Sequence, residues 1–119
     1  MTKLTKNLSL ENKVIIITGG SAGCGWGFTK ACAEAGAYVV VADINPLSDD
    51  RTEQVIAVGH RPTYIHTDVS DPNSIKSMVA QVIEQFSVID GVINNAGLTL
   101  TGDFLDFEIE TVERLINTN

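Results

Sequence analysis

Val14-Ile-Ile-Ile-Thr-Gly-Gly-Ser-Ala-Gly-Cys-Gly25 is the stretch that decides the fold. Val14 to Ile17 are β-branched and apolar with no polar alternation. That pattern suits a strand covered on both faces, as in a parallel sheet. Gly19, Gly23 and Gly25 follow at once, and Phe28 to Ala35 reads as helix. A strand that passes through a glycine turn into a helix gathers the turn's backbone N–H groups and the positive helix end around one point. An anion is stabilised there. The expectation is a nucleotide diphosphate held on this turn.

Strands and helices alternate outward from that point. Residues 1–12 form a polar lead-in, and residues 13–119 form the predicted dinucleotide-binding unit. The first helix is expected over about Gly25–Ala35, closed by Gly36. The small residues Gly27, Ala31 and Ala35 are expected to let it lie close to the sheet. A second apolar strand covers Tyr38–Asp43, Asn45-Pro46 turns the chain, and a weaker helix near Asp50–Val58 stops at Gly59. A short strand follows at about Thr63–Thr67. Asp71-Pro72 then opens a helix with Asp as N-cap and Pro in the first turn. Its apolar residues Ile75, Met78, Val79, Val82, Ile83 and Phe86 share one face. The fourth strand, Ile89–Ile93, ends in Asn94-Asn95-Ala96-Gly97. A last helix from about Phe107 carries Ile109, Val112, Leu115 and Ile116 on one side.

This order predicts an α/β fold: a doubly wound parallel sheet in the order 3-2-1-4. Its ligand crevice lies at the carboxyl ends of strands one and four. Only the first strand and helix of a second half are present, and the final helix reaches Asn119 without a cap. The expectation is an incomplete sheet, truncated in its last helix.

Composition narrows the function classes. The formal net charge of −7 leaves no basic stripe for nucleic acid. Asp103, Asp106, Glu108, Glu110 and Glu113 crowd near the C-terminal end and read as a solvated helix face. Cys24 and Cys32 are two helical turns apart, ~12 Å, too far for a disulfide. His60 and His66 have no metal-ligand spacing around them. Neither a signal peptide nor a membrane-spanning run is recognisable, so a reduced, cytoplasmic setting is expected.

The polar residues at the predicted crevice suit a dinucleotide. Asp43, ending strand two, can accept hydrogen bonds from the adenosine ribose, or can simply begin the Asn45-Pro46 turn. No Arg or Lys follows it directly or lies inside the glycine turn, so a 2′-phosphate is expected to find no cation nearby. Asp68 can accept from an adenine amino group or, equally, begin the Asp71-Pro72 helix. Asn94 and Asn95 combine a place at the crevice with the loop-tying role usual for buried amides.

Thr18-Gly19-Gly20-Ser21-Ala22-Gly23-Cys24-Gly25, the strand-end Asp43, Asp68-Val69, Asn94-Asn95-Ala96-Gly97 and the Asn119 of Ile116-Asn-Thr-Asn together resemble the short-chain dehydrogenase/reductase family. They occur in order and at family spacing from residue 8 onward. The resemblance implies a Rossmann-like fold in which Gly19, Ser21, Ala22, Gly23, Cys24 and Gly25 hold the pyrophosphate. Asp43, with Ile44 beside it, would select NAD, with NADP the less favoured cofactor. Asp68 and Val69 would meet adenine. Asn95, Ala96 and Gly97 would brace the sheet beside the nicotinamide, and Asn119 would support a water in the proton relay. Cys24 stands where the family usually has Ile, and Trp26-Gly27 replaces a small or aliphatic pair. Trp26 could stack near the cofactor, but a partly buried packing role is the one expected of it.

The implied activity is hydride transfer between an alcohol and a carbonyl, with a small-molecule substrate. No nucleic-acid or membrane partner is implied, and the full-length enzyme would be a homo-oligomer. The family's proton donor belongs to a Tyr-x-x-x-Lys helix with a Ser on the preceding strand. Neither tyrosine fits, since Ala42 lies four residues beyond Tyr38 and Asp68 four beyond Tyr64. Lys30 and Lys76 fall on helices away from the strand ends. The 119-residue chain alone is therefore expected to be inactive. The rival readings are a stand-alone nucleotide-binding module and a non-functional truncation product.

Overall fold

β-Branched side chains fill the centre of the sheet. A computed structural model describes residues 9–97 and 108–119. In it β1 (Val14–Thr18) leads into α1 (Gly23–Glu34), then β2 (Tyr38–Asp43) and α2 (Asp49–Val58). β3 (Thr63–His66), α3 (Pro72–Phe86), β4 (Gly91–Asn94) and α4 (Ile109–Thr118) follow. The strands are all parallel in the order β3-β2-β1-β4, as expected. Ile16 lies opposite Val40 on one side and Val92 on the other. Thr18 and Asn94 are likewise register partners, which brings the ends of β1 and β4 to one edge.

Alternation along β1 feeds two cores. Ile15 and Ile17 pack with Val39, Val41, Cys32, Ala33 and Val55, joining the sheet to α1 and α2. Val14 and Ile16 pack with Val40, Ala42, Ile65, Met78 and Val82, joining it to α3. All five residues of β1 are buried. Each fully buried Val or Ile contributes about 1.5–3 kcal/mol relative to exposure. Leu10 also packs on the first of these cores, so the end of the lead-in is anchored rather than merely polar. Its N–H donates to Ala35 O at 2.9 Å.

Several boundaries and faces differ from expectation. The helix α1 starts at Gly23, and Gly25, Thr29, Cys32 and Ala33 are its buried residues. Gly27 and Ala31 are exposed, so they do not seat the helix on the sheet. The reason is helical phase, because two residues turn about 200° and Gly27 lies opposite Gly25. Of the α3 face, Met78 and Val82 are buried while Ile75, Val79 and Ile83 remain partly exposed. Asp90 lies ahead of β4 and closes its pairing: Oδ2 accepts from Val14 N at 2.8 Å, and its N–H donates to Val14 O at 2.9 Å. In α4, Ile109 and Ile116 are 72% and 69% exposed. The side chains of Val112 and Leu115 lie outside the described residues, as do Asp103, Asp106 and Phe107. Glu108, Glu110 and Glu113 are exposed, in keeping with a solvated face.

Candidate functional site

A cavity of about 750 Å³ opens at the carboxyl ends of the strands. Gly19, Ala22 and Cys24 line it from the glycine turn, and Asp43 and Ile44 from the end of β2. Asp68 and Val69 line it after β3, and Asn95, Ala96 and Gly97 after β4. Arg114 and Thr118 of α4 complete that wall. Ser21, Gly23 and Gly25 belong to the same turn but lie off the lining. A Cβ built on Gly97 would come 3.2 Å from Asn119 Oδ1, so Asn119 sits beside the end of β4.

The start of α1 is open to an anion. Ala22, its N-cap, supplies no side-chain hydrogen bond, and the first turn carries no acidic residue. By contrast α2 and α3 are capped by the side chains of Ser48 and Asp71. The free N–H groups and the dipole of α1 therefore favour a negative ligand. Gly25 is required by close approach: an added Cβ would strike the carbonyl of Gly19 and come 2.5 Å from Asn95 Nδ2. Gly23 has φ +59 with open space around it, so its backbone faces outward unobstructed.

Thr18 and Asn95 fasten the turn to β4. The Thr18 hydroxyl accepts from the N–H groups of Asn95 and Ala96, each at 3.0 Å. Asn95 Nδ2 donates to the carbonyls of Thr18 and Gly19, both at 3.3 Å. The loop-tying role foreseen for Asn95 is thus present, at the cavity wall. Thr29 secures the other side, its hydroxyl donating to Gly20 O at 2.9 Å.

At the β2 end the carboxylate of Asp43 is already engaged. Its Oδ2 accepts from Ser21 N at 3.1 Å and from the Ser21 hydroxyl at 2.5 Å, and Oδ1 accepts from Asn45 N at 3.0 Å. A carboxylate has about four acceptor sites, so one direction is left for a ligand hydroxyl. The expectation that no cation lies near this point is corrected. Arg51, in the first turn of α2, donates from Nη1 to Ser21 O at 2.5 Å, and its guanidinium lies 5.2 Å from the centre of the Trp26 ring. Adjacency in sequence missed it, because it reaches the turn from the next helix. Trp26 is half-buried against the core, the packing role foreseen for it.

Asp68 does not cap α3; Asp71 does, accepting from Asn73 N at 2.9 Å. The Asp68 carboxylate accepts from the Ser70 hydroxyl at 2.7 Å and from Ser70 N at 3.0 Å. Those bonds hold its carboxyl below the usual range, helped by the charges of Arg114 and His66 and opposed by slight burial. Arg114 was not foreseen, because only tertiary structure brings α4 over this edge. Tyr64 donates to Asp43 O at 2.9 Å, and burial, then the Asp43 charge, pushes its phenol up. Both thiols are free: Cys24 is exposed on the cavity, whereas burial pushes the Cys32 thiol up. Among the described residues no group of His, Cys, Asp and Glu could hold a metal ion, and no helix is long and apolar enough to cross a membrane.

Residues 13–119 match the short chain dehydrogenase family. The chain belongs to it. It is 35% identical over 111 residues to an uncharacterized oxidoreductase of Thermotoga maritima, covering 92% of this chain and 43% of that protein. It is 31% identical over 112 residues to an L-rhamnose 1-dehydrogenase (NAD(P)(+)) of a Sphingomonas species, covering 92% of this chain and 44% of that one. Among solved structures, a short-chain type dehydrogenase/reductase from Mycobacterium marinum superimposes with a TM-score of 0.88 at 31% identity, over 99% of this chain and 48% of that chain. The chain thus spans a little under half the length of these relatives. Members of this oxidoreductase family bind a nicotinamide nucleotide and act on small molecules.

Proposed function

We propose that the crevice holds NAD, in preference to NADP, for an oxidoreductase that interconverts an alcohol and a carbonyl. The observation that carries this reading is the uncapped start of α1 set behind the Gly23 and Gly25 turn, with Asp43 at the adjoining rim. The cradle fits the group: Gly25 leaves no room for a side chain where the turn closes on Asn95, and the turn's N–H groups match a pyrophosphate. When bound, the nicotinamide gives or takes the hydride.

In this reading Gly19, Ser21, Ala22, Gly23, Cys24 and Gly25 form the pyrophosphate cradle. Asp43 accepts from the ribose through its remaining lone pair, with Ile44 alongside, and Asp68 and Val69 border the adenine. Asn95, Ala96 and Gly97 keep the wall beside the nicotinamide rigid, and Asn119 belongs to the proton relay. Because the chain spans under half of its relatives, the activity is assigned to the whole protein. Calorimetric titration of the full-length protein with NAD and NADP tests the reading. Saturable binding of both, tighter for NAD, is expected; absence of binding, or a preference for NADP, overturns it.

A further inference from the structure

Successive carbonyls of the glycine turn are each tied to a donor. Asn95 Nδ2 donates to Gly19 O at 3.3 Å, and the Thr29 hydroxyl donates to Gly20 O at 2.9 Å. Arg51 Nη1 donates to Ser21 O, and the Trp26 N–H donates to Ala22 O at 3.1 Å. The carbonyls of Gly19 to Ala22 are thus turned to protein donors, which leaves the N–H groups that open α1 to face an anion. Of the four donor residues Thr29 alone is fully buried. A threonine inside a helix ordinarily turns its hydroxyl to the carbonyl four residues back. Thr29 instead reaches out of its own helix, to a carbonyl nine residues back. Bare backbone at Gly20 makes room for it, since an added Cβ there would lie 2.7 Å from Thr29 Oγ1. The same peptide unit is held at its other end, where the Ser21 N–H donates to Asp43 Oδ2 at 3.1 Å. Gly19 and Ala22, on either side of this doubly held peptide, both line the cavity.

We propose that Thr29 is a positioning residue that holds the glycine turn in its pyrophosphate-binding shape before any ligand arrives. The inference rests on the dinucleotide reading above, and Thr29 acts through the Gly20–Ser21 peptide without touching the ligand. Without the hydroxyl, the buried Gly20 carbonyl loses its donor and the peptide is free to rotate toward another. A ligand that binds on the turn then has to order it first, and its affinity falls by that cost. A ligand that ends at the ribose does not meet the turn's N–H groups and escapes the cost.

The test uses the full-length protein with adenosine, ADP and NAD as titrated ligands. In Thr29→Val, which keeps the shape and removes the donor, affinity for ADP and NAD should fall about tenfold while adenosine stays within about twofold. Thr29→Ser, which keeps the hydroxyl, should recover most of the loss. Amide exchange of the ligand-free protein gives a second reading. The Ser21 amide should be protected in wild type and lose that protection in Thr29→Val, while Val40 in β2 keeps its own. If Thr29→Val does not fold, Thr29→Ala is read against Thr29→Ser by the same split. Equal losses for all three ligands would reduce Thr29 to a packing residue and overturn the inference. So would unchanged ADP and NAD affinities, a Thr29→Ser protein as weak as Thr29→Val, or an unprotected Ser21 amide in wild type. A wild-type protein that binds adenosine alone, or none of the three, overturns the dinucleotide reading and this inference with it.

Discussion

Gly25 and Gly27 stand two residues apart on α1, yet replacing each by alanine should have opposite effects. At Gly25 an added Cβ would be 2.5 Å from Asn95 Nδ2 and closer still to the Gly19 carbonyl, where ordinary contact begins at 3.4 Å. Clearing Asn95 alone asks the turn to open by about 1 Å, against backbone on one side and a hydrogen-bonded amide on the other. Overpacking of this kind costs about 1–3 kcal/mol. Losing the two Asn95 bonds to the carbonyls of Thr18 and Gly19 adds about 0.5–1.5 kcal/mol each. The total, about 2–6 kcal/mol, should lower the melting temperature of the full-length protein by about 4–24 °C. At Gly27 a Cβ meets nothing within 4 Å, and Gly27→Ala in a helix interior should stabilise by about 0.5–1 kcal/mol. Gly23→Ala falls between them, with no clash but φ +59, at a cost of about 1–2 kcal/mol. Calorimetric melts and NAD titrations of the three variants read the series. A Gly25→Ala protein as stable as wild type with unchanged NAD affinity would refute the reasoning, as would Gly27→Ala proving the more harmful.

Three further outcomes follow from the site. Asp43→Ala should narrow the gap between NAD and NADP, because it removes both the ribose acceptor and the like charge facing a 2′-phosphate; competitive titration measures the gap, and an unchanged ratio counts against the assignment. Iodoacetamide should label Cys24 in the native protein and reach Cys32 only on unfolding, with NAD slowing the first reaction; peptide mapping decides, and early Cys32 labelling would contradict the packing. The Asp68 carboxyl titrates below its unfolded value, so its contribution to stability is complete above the ordinary range near ~3.9 and is lost as pH falls through the lower folded value. Ser70→Ala should move that titration, followed by carboxyl-carbon NMR, back toward the ordinary range, and no movement would remove Ser70 as its cause.

What was legible in the amino-acid order was what chain-neighbour chemistry controls. Val14 to Ile17 read as a doubly covered strand because burial on both faces leaves no polar residue anywhere in the run. Asp43, Asp68 and Asn95 read as crevice residues because strand ends in a parallel sheet share one edge. Azimuth and reach were not legible. Gly27 and Ala31 have the size of a packing strip but the wrong phase, which only the buried stripe of Gly25, Thr29, Cys32 and Ala33 reveals. Arg51 and Arg114 enter from later helices, and the direction of a long side chain depends on how its helix docks. Asp90 falls inside the span expected for the fourth strand, yet it lies ahead of β4, where its carboxylate works across the chain on Val14.

The central claim is that the crevice at the ends of β1 and β4 receives the dinucleotide. Amide NMR of the full-length protein under NAD titration tests it most directly. The account predicts saturable shifts at Gly19 to Gly25, Asp43, Asp68 and Ala96. The ring cluster at the opposite edge of the sheet, where Tyr38 stacks on His60 at 4.0 Å, should stay unmoved. Saturable shifts centred on that far edge, or none at the glycine turn, would contradict it.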